Sequence, residues 1–126
     1  PDLPIPVKDH CLVGINDNEY FLIGGYPEGK RTFKYNFVEG FWTTGPNLQS
    51  HRQDHACGLF TDMNDGRRKV IVSGGLGNAP PPYQSTSEIL DFQVENASFE
   101  YGNSNLETNN GCHSKSWQNL AKNSNV

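Results

Sequence analysis

The sequence predicts an all-β fold: two four-stranded antiparallel blades of a β-propeller, too few to close a ring. Three observations carry this. Glycine doublets at Gly24-Gly25 and Gly74-Gly75 lie fifty residues apart, and each ends a short apolar run, 20–23 and 70–73. A period of about fifty residues built from short strands marks propeller blades. An Asp or Asn followed by Leu, with His seven residues beyond that Leu, recurs three times: Asp2-Leu3 with His10, Asn47-Leu48 with His55, and Asn105-Leu106 with His113. Beyond each doublet the landmarks keep their order, so that 32–37 lies against 87–92 and 42–45 against 99–102.

Each repeat reads as four strands. In the first they are expected at 11–15, 20–23, 32–37 and 41–44, and in the second at 55–60, 69–73, 87–92 and 98–101. β-branched and aromatic residues fill these runs and turn residues separate them. Phe33, Tyr35 and Phe37 alternate with polar neighbours, which buries one face of their strand more than the other. Asn16-Asp17-Asn18 tolerates the left-handed backbone of a tight hairpin. The matching loop, 61–68, is five residues longer, and the loop after the second doublet is extended through Pro80-Pro81-Pro82. Insertions confined to loops suit a repeat architecture.

The organisation follows from these landmarks. Residues 1–9 read as the end of a preceding blade, 10–46 as the first repeat and 47–102 as the second with its leading loop. Residues 103–126 are rich in Asn and poor in large apolar groups. They read as a degraded or truncated third repeat, expected to be poorly ordered. The chain begins with Pro, shows no signal peptide and reads as a piece of a longer protein.

The formal charge of -4 over 126 residues argues against the dense cationic surface that nucleic acid requires. No apolar run approaches the ~18 residues of a membrane helix. Three cysteines are too few for a small disulfide-built scaffold. Cys11 and Cys57 fall at nearly the same place in their repeats, just after His10 and His55, and are a candidate disulfide. The alternative is two buried thiols acting as small apolar side chains. Asn96-Ala97-Ser98 is a glycosylation sequon in an expected turn, and with the paired cysteines it leans toward an extracellular location.

No catalytic constellation stands out. His10, His55 and His113 recur at the repeat spacing, so the repeat itself accounts for them. Asp9 and Asp54 adjoin two of them, but neighbours along a strand point to opposite faces. A G-x-S-x-G elbow is absent, and the glycine-rich run at 74–77 lacks the Lys-Ser/Thr of a phosphate loop. The expectation is therefore no catalytic residue, metal site or cofactor.

The doublets, Tyr35, Trp42, Gly45, Arg52, His55-Ala56 and 87–91 together resemble the kelch repeat. Residues 10–102 match it as two repeats. The second departs from the pattern, with Leu90 at the Tyr position and Phe99 at the Trp position, while the first has Val7 where the second has Arg52. The resemblance implies blades around a central channel, first strand innermost, with Trp42 and Phe99 wedged between adjacent sheets. Propellers close with about four to eight blades, so two would need further blades or self-association. It also implies a protein-interaction module that binds a protein or peptide through inter-strand loops. The partner-binding candidates on these loops are Tyr26, Lys30, Arg31, Asn78, Tyr83, Gln84 and Arg52. The alternative is a fragment of a propeller enzyme acting on sugars or alcohols, of oxidase or mutarotase type.

Overall fold

The computed structural model describes residues 2–102, and the expectations for 103–126, with His113 and Cys112, lie outside them. Eight strands form two antiparallel meanders. The first sheet runs β1 (Cys11–Asn16), β2 (Glu19–Ile23), β3 (Thr32–Asn36) and β4 (Phe41–Thr44). The second runs β5 (Ala56–Thr61), β6 (Arg68–Ser73), β7 (Ser87–Leu90) and β8 (Glu100–Tyr101), in the same order.

Local side chains set the strand ends. In the first hairpin the Asn16 carboxamide oxygen accepts the Asn18 amide at 2.8 Å, and the ladder shifts register between Gly14 and Asn16. β3 stops at Asn36, one residue earlier than expected, because the Asn36 carboxamide oxygen accepts the Val38 and Glu39 amides at 2.9 and 3.0 Å. Its repeat counterpart Asp91 ends β7 in the same way, accepting the Gln93 amide at 3.3 Å. Such side-chain acceptors offer the backbone an alternative to the ladder. β8 starts two residues later than expected, since the Phe99 carbonyl is taken by the Gln49 side chain at 2.9 Å. β5 begins at Ala56 rather than His55, after Asp54 with its φ of 55°. In the longer 62–67 loop, Lys69 Nζ lies 2.6 Å from Asp62 and 2.8 Å from Asp65, so one cation neutralises both carboxylates.

The core lies between the sheets. Val13 and Ile15 of β1 and Phe21 and Ile23 of β2 point the same way, as alternation requires. They join Cys57, Leu59, Val70, Val72 and Leu90 of the second sheet, with Leu48, Phe92, Ala97 and Phe99 from the connecting segments. The Phe21 and Phe92 rings meet edge to face at 6.3 Å. This seam is the main apolar burial among the described residues and outweighs any single polar contact.

The two covered faces are not equivalent in the repeat. The residue before each doublet, Ile23 or Ser73, pairs with Cys11 or Ala56 respectively. Cys11 therefore corresponds to Ala56, and Cys57 corresponds to Leu12. One face of the first sheet packs on the opposite face of the second, a head-to-tail stacking that leaves one face of each sheet outside the seam. On the first sheet that face carries Tyr20, Tyr35, Phe37 and Trp42, with the Tyr35 and Trp42 rings 5.0 Å apart. Phe37 and Leu12 on it are 59% and 54% exposed. Phe99 is wedged between the two sheets, while Trp42 is half-buried among Tyr20 and Tyr35, with no neighbouring sheet on its side among the described residues. Trp42 lies on the outer face, because the register that aligns it with Tyr35 and Tyr20 turns it away from the second sheet.

Candidate functional site: the loop end of the sheets

The glycine doublets sit where the β2–β3 and β6–β7 loops leave the sheets. All four glycines have positive φ, between 65° and 101°, which disfavours side chains. Three of them, Gly24, Gly25 and Gly75, are also crowded. A Cβ on Gly25 would lie 2.6 Å from the Lys8 carbonyl oxygen, and one on Gly75 2.5 Å from that of Gln53, the equivalent residue. The loops close identically, with the Gly24 amide donating to Arg31 at 2.9 Å and the Gly74 amide to Thr86 at 3.1 Å. Isolated bridges pair Lys8 with Tyr26 and Gln53 with Leu76, again at matching positions, and Leu76 also pairs with Tyr83.

Backbone hydrogen bonds join the two repeats at this end. The Gly25 amide donates to the Arg52 carbonyl at 2.8 Å, the Arg52 amide to Gly29 at 3.1 Å, and the Asp54 amide to Asp9 at 2.9 Å. Main-chain contacts therefore tie the platform beneath the loops together, and the buried Arg52 side chain adds to them.

Arg52 is the structural centre of this end and leaves the set of docking residues. Its side chain and that of Glu88 are both 0% exposed, with Nε to Oε2 at 2.9 Å. The guanidinium also donates to the Gly74 carbonyl at 3.1 Å and to the Thr86 carbonyl and hydroxyl at 2.8 and 2.7 Å. Glu88 in turn accepts the Gln49 and Ser50 amides at 2.6 and 3.1 Å. This satisfies the buried charges and pins segment 47–51, which is thereby committed to the fold. The first repeat carries Val7 and Phe33 where the second carries Arg52 and Glu88. The joint replacement of both partners by apolar residues is the sequence signal for the ion pair.

His55 packs against the doublets. A Cβ on Gly24 would stand 2.7 Å from its Cε1, and one on Gly75 2.8 Å from its Cβ. Both ring nitrogens are sealed from water and neither closes a well-formed hydrogen bond. Burial pushes its imidazole below the ordinary value; the Ile23 backbone pulls the other way, and the Arg52 charge adds to the lowering.

The remaining candidates sit on the loops. Tyr83 and Tyr26 are 77% and 52% exposed, and Lys30 and Asn78 are exposed as well. Lys8 Nζ lies over the Tyr26 ring at 5.3 Å. Pro6, Val7, Lys8, Tyr26 and Pro27 line a shallow, apolar groove of about 320 Å³. Arg31 is partly tied down, paired with Glu28 at 3.0 Å and stacked on Phe33 at 4.8 Å. Gln84 is half-buried and donates to the His51 carbonyl at 3.4 Å. Among the described residues no group of three or more His, Cys, Asp or Glu is placed to hold a metal ion.

Cys11 and Cys57 form a disulfide between β1 and β5, with Cα atoms 6.1 Å apart. No protein-family model matches the chain, and no curated relative matches it.

Proposed function

We propose that the chain is two blades of a kelch-type β-propeller serving as a protein-interaction module. A protein or peptide partner docks on the loops that follow the glycine doublets. The observation that carries this reading is the pair of exposed tyrosines, Tyr26 and Tyr83, at one end of a platform joined by backbone hydrogen bonds. Exposed aromatics on rigid supports bind at low entropic cost and are common hot spots. Lys30 and Asn78 supply polar contacts beside them. The aromatic outer face of the first sheet supports the need for further blades or self-association, since a lone sheet face with Phe37 and Leu12 open to water calls for a cover. The disulfide favours an oxidising compartment.

The test is selection of peptides from a displayed random library against the immobilised chain, followed by titration. Tyr83→Ala is expected to weaken binding about tenfold or more, as loss of a hot-spot aromatic does. Arg31→Ala weakens it less, because part of that side chain is engaged with Glu28 and Phe33. Asp17→Ala, in the β1–β2 turn at the opposite end, leaves affinity unchanged. If neither Tyr83→Ala nor Arg31→Ala alters binding, the loop assignment is wrong.

A further inference from the structure

We infer that Asn96 is an attachment site for an N-linked glycan. The inference is independent of the docking reading above. It begins with Asn96-Ala97-Ser98, an acceptor sequence whose middle residue is not Pro. The fold adds three observations.

The first is the way the segment alternates. Ala97 packs against the core and Phe99 is fully buried, while Asn96 and Ser98 are exposed. The two residues an acceptor site uses thus point outward, and the two that anchor the turn point inward. Asn96 itself has a φ of 58°, a left-handed turn conformation that Asn accepts more readily than most residues. An open hollow of about 360 Å³, lined in part by Lys69, Ile89 and Asp91, lies beside it and leaves the carboxamide unconfined.

The second is location. The chain leaves β7 at Leu90 and re-enters at Glu100, at the end of the second sheet away from the doublet loops. A glycan here stands at the opposite end of the sheets from Tyr26 and Tyr83.

The third is the disulfide. Cys11–Cys57 is made where thiols are oxidised. In eukaryotic cells, that is also the compartment in which asparagine glycans are added. The sequon and the cross-link are separate features of the chain and require the same history.

The chemistry is a group transfer without redox change. The Asn96 Nδ2 attacks the anomeric carbon of a polyprenyl-pyrophosphate-linked oligosaccharide, the co-substrate of the transfer. An Nδ2–C1 bond forms, the C1–O bond to pyrophosphate breaks, and Nδ2 gives up one proton.

The experiment is to secrete the chain from a eukaryotic cell behind a secretion leader and treat it with a peptide N-glycosidase. The expected result is one discrete fall in mass, with Asn96 converted to Asp in the released protein. Asn96→Gln and Ser98→Ala are expected to remove the step, and Ser98→Thr to preserve it. Each species is read in both the secreted and the cell-retained fraction, so a variant that fails to fold is still scored. A disulfide-bonded chain that shows no fall in mass overturns the inference, as does a step that persists in both Asn96→Gln and Ser98→Ala.

Discussion

Cys57 stands one position further along its strand than Cys11 does, and that single step brings their Cα atoms to 6.1 Å. Side chains alternate across a strand, so equivalent positions in stacked sheets point in the same direction around the stack. Two cysteines at identical repeat positions would face the same way and never meet. The offset turns Cys11 forward and Cys57 back into the same seam.

Reduction therefore costs stability. The bridge spans 46 residues, and closing a loop of that length stabilises by about 4 kcal/mol in the chain-entropy account. Cys57→Ala is expected to lower the unfolding free energy by roughly that amount in denaturant titrations. Shifting the thiol by one residue, Cys57→Ala with Gly58→Cys, is expected not to restore the bridge. Thiol titration then reads two more free thiols than the wild-type chain.

Arg52 and Glu88 depend on each other. Removing one partner strands a buried charge, so Arg52→Val is expected to destabilise by about 3–5 kcal/mol. Arg52→Val with Glu88→Phe copies the first repeat's Val7 and Phe33 and is expected to recover most of the loss. Chemical denaturation of the two singles and the double measures the coupling. Additive losses would show that the first repeat accommodates its apolar pair differently.

Stability falls with acid in a window set by His55. Its folded value is lowered, so below its ordinary value near 6.5 the unfolded chain takes up the proton first. Protons bound by the unfolded state favour unfolding, so stability declines as pH drops from about 6.5 toward the folded value. Melting temperatures between pH 8 and 5 check this, and His55→Gln is expected to flatten the slope. Asp65 does not share this window, because the Lys69 hydrogen bond holds its carboxyl below the ordinary carboxylate value, so its contribution is lost only at more acid pH.

Trp42 and Phe99 occupy matching repeat positions but different surroundings. Phe99 is fully buried between the sheets, and Phe99→Ala is expected to cost about 3–5 kcal/mol. Trp42→Ala on the isolated chain is expected to cost well under that, since its face has no covering sheet among the described residues. Equal losses would mean that something covers the Trp42 face in solution, and sedimentation would then show an associated species.

Local structure is legible in the sequence. The doublets, the Asn36 and Asp91 stops and the alternation at Phe33 and Tyr35 act within a few residues of themselves. Their steric and hydrogen-bonding demands are written in the residue types, and the strands fall within about two residues of the expected places. Loop exposure at Tyr26 and Tyr83 follows from the same local signals. The sheet seam was different. Whether Arg52 faces a partner or the interior, whether Trp42 is wedged or open, and whether two thiols meet all depend on which face of one sheet lands on which face of the next. A displacement of one residue reverses that outcome while leaving composition and propensity unchanged. The sequence by itself therefore determined the strands and turns. Only the packing of one sheet on another decided which side chains are shared between them, because burial is a property of surfaces that come together across the chain.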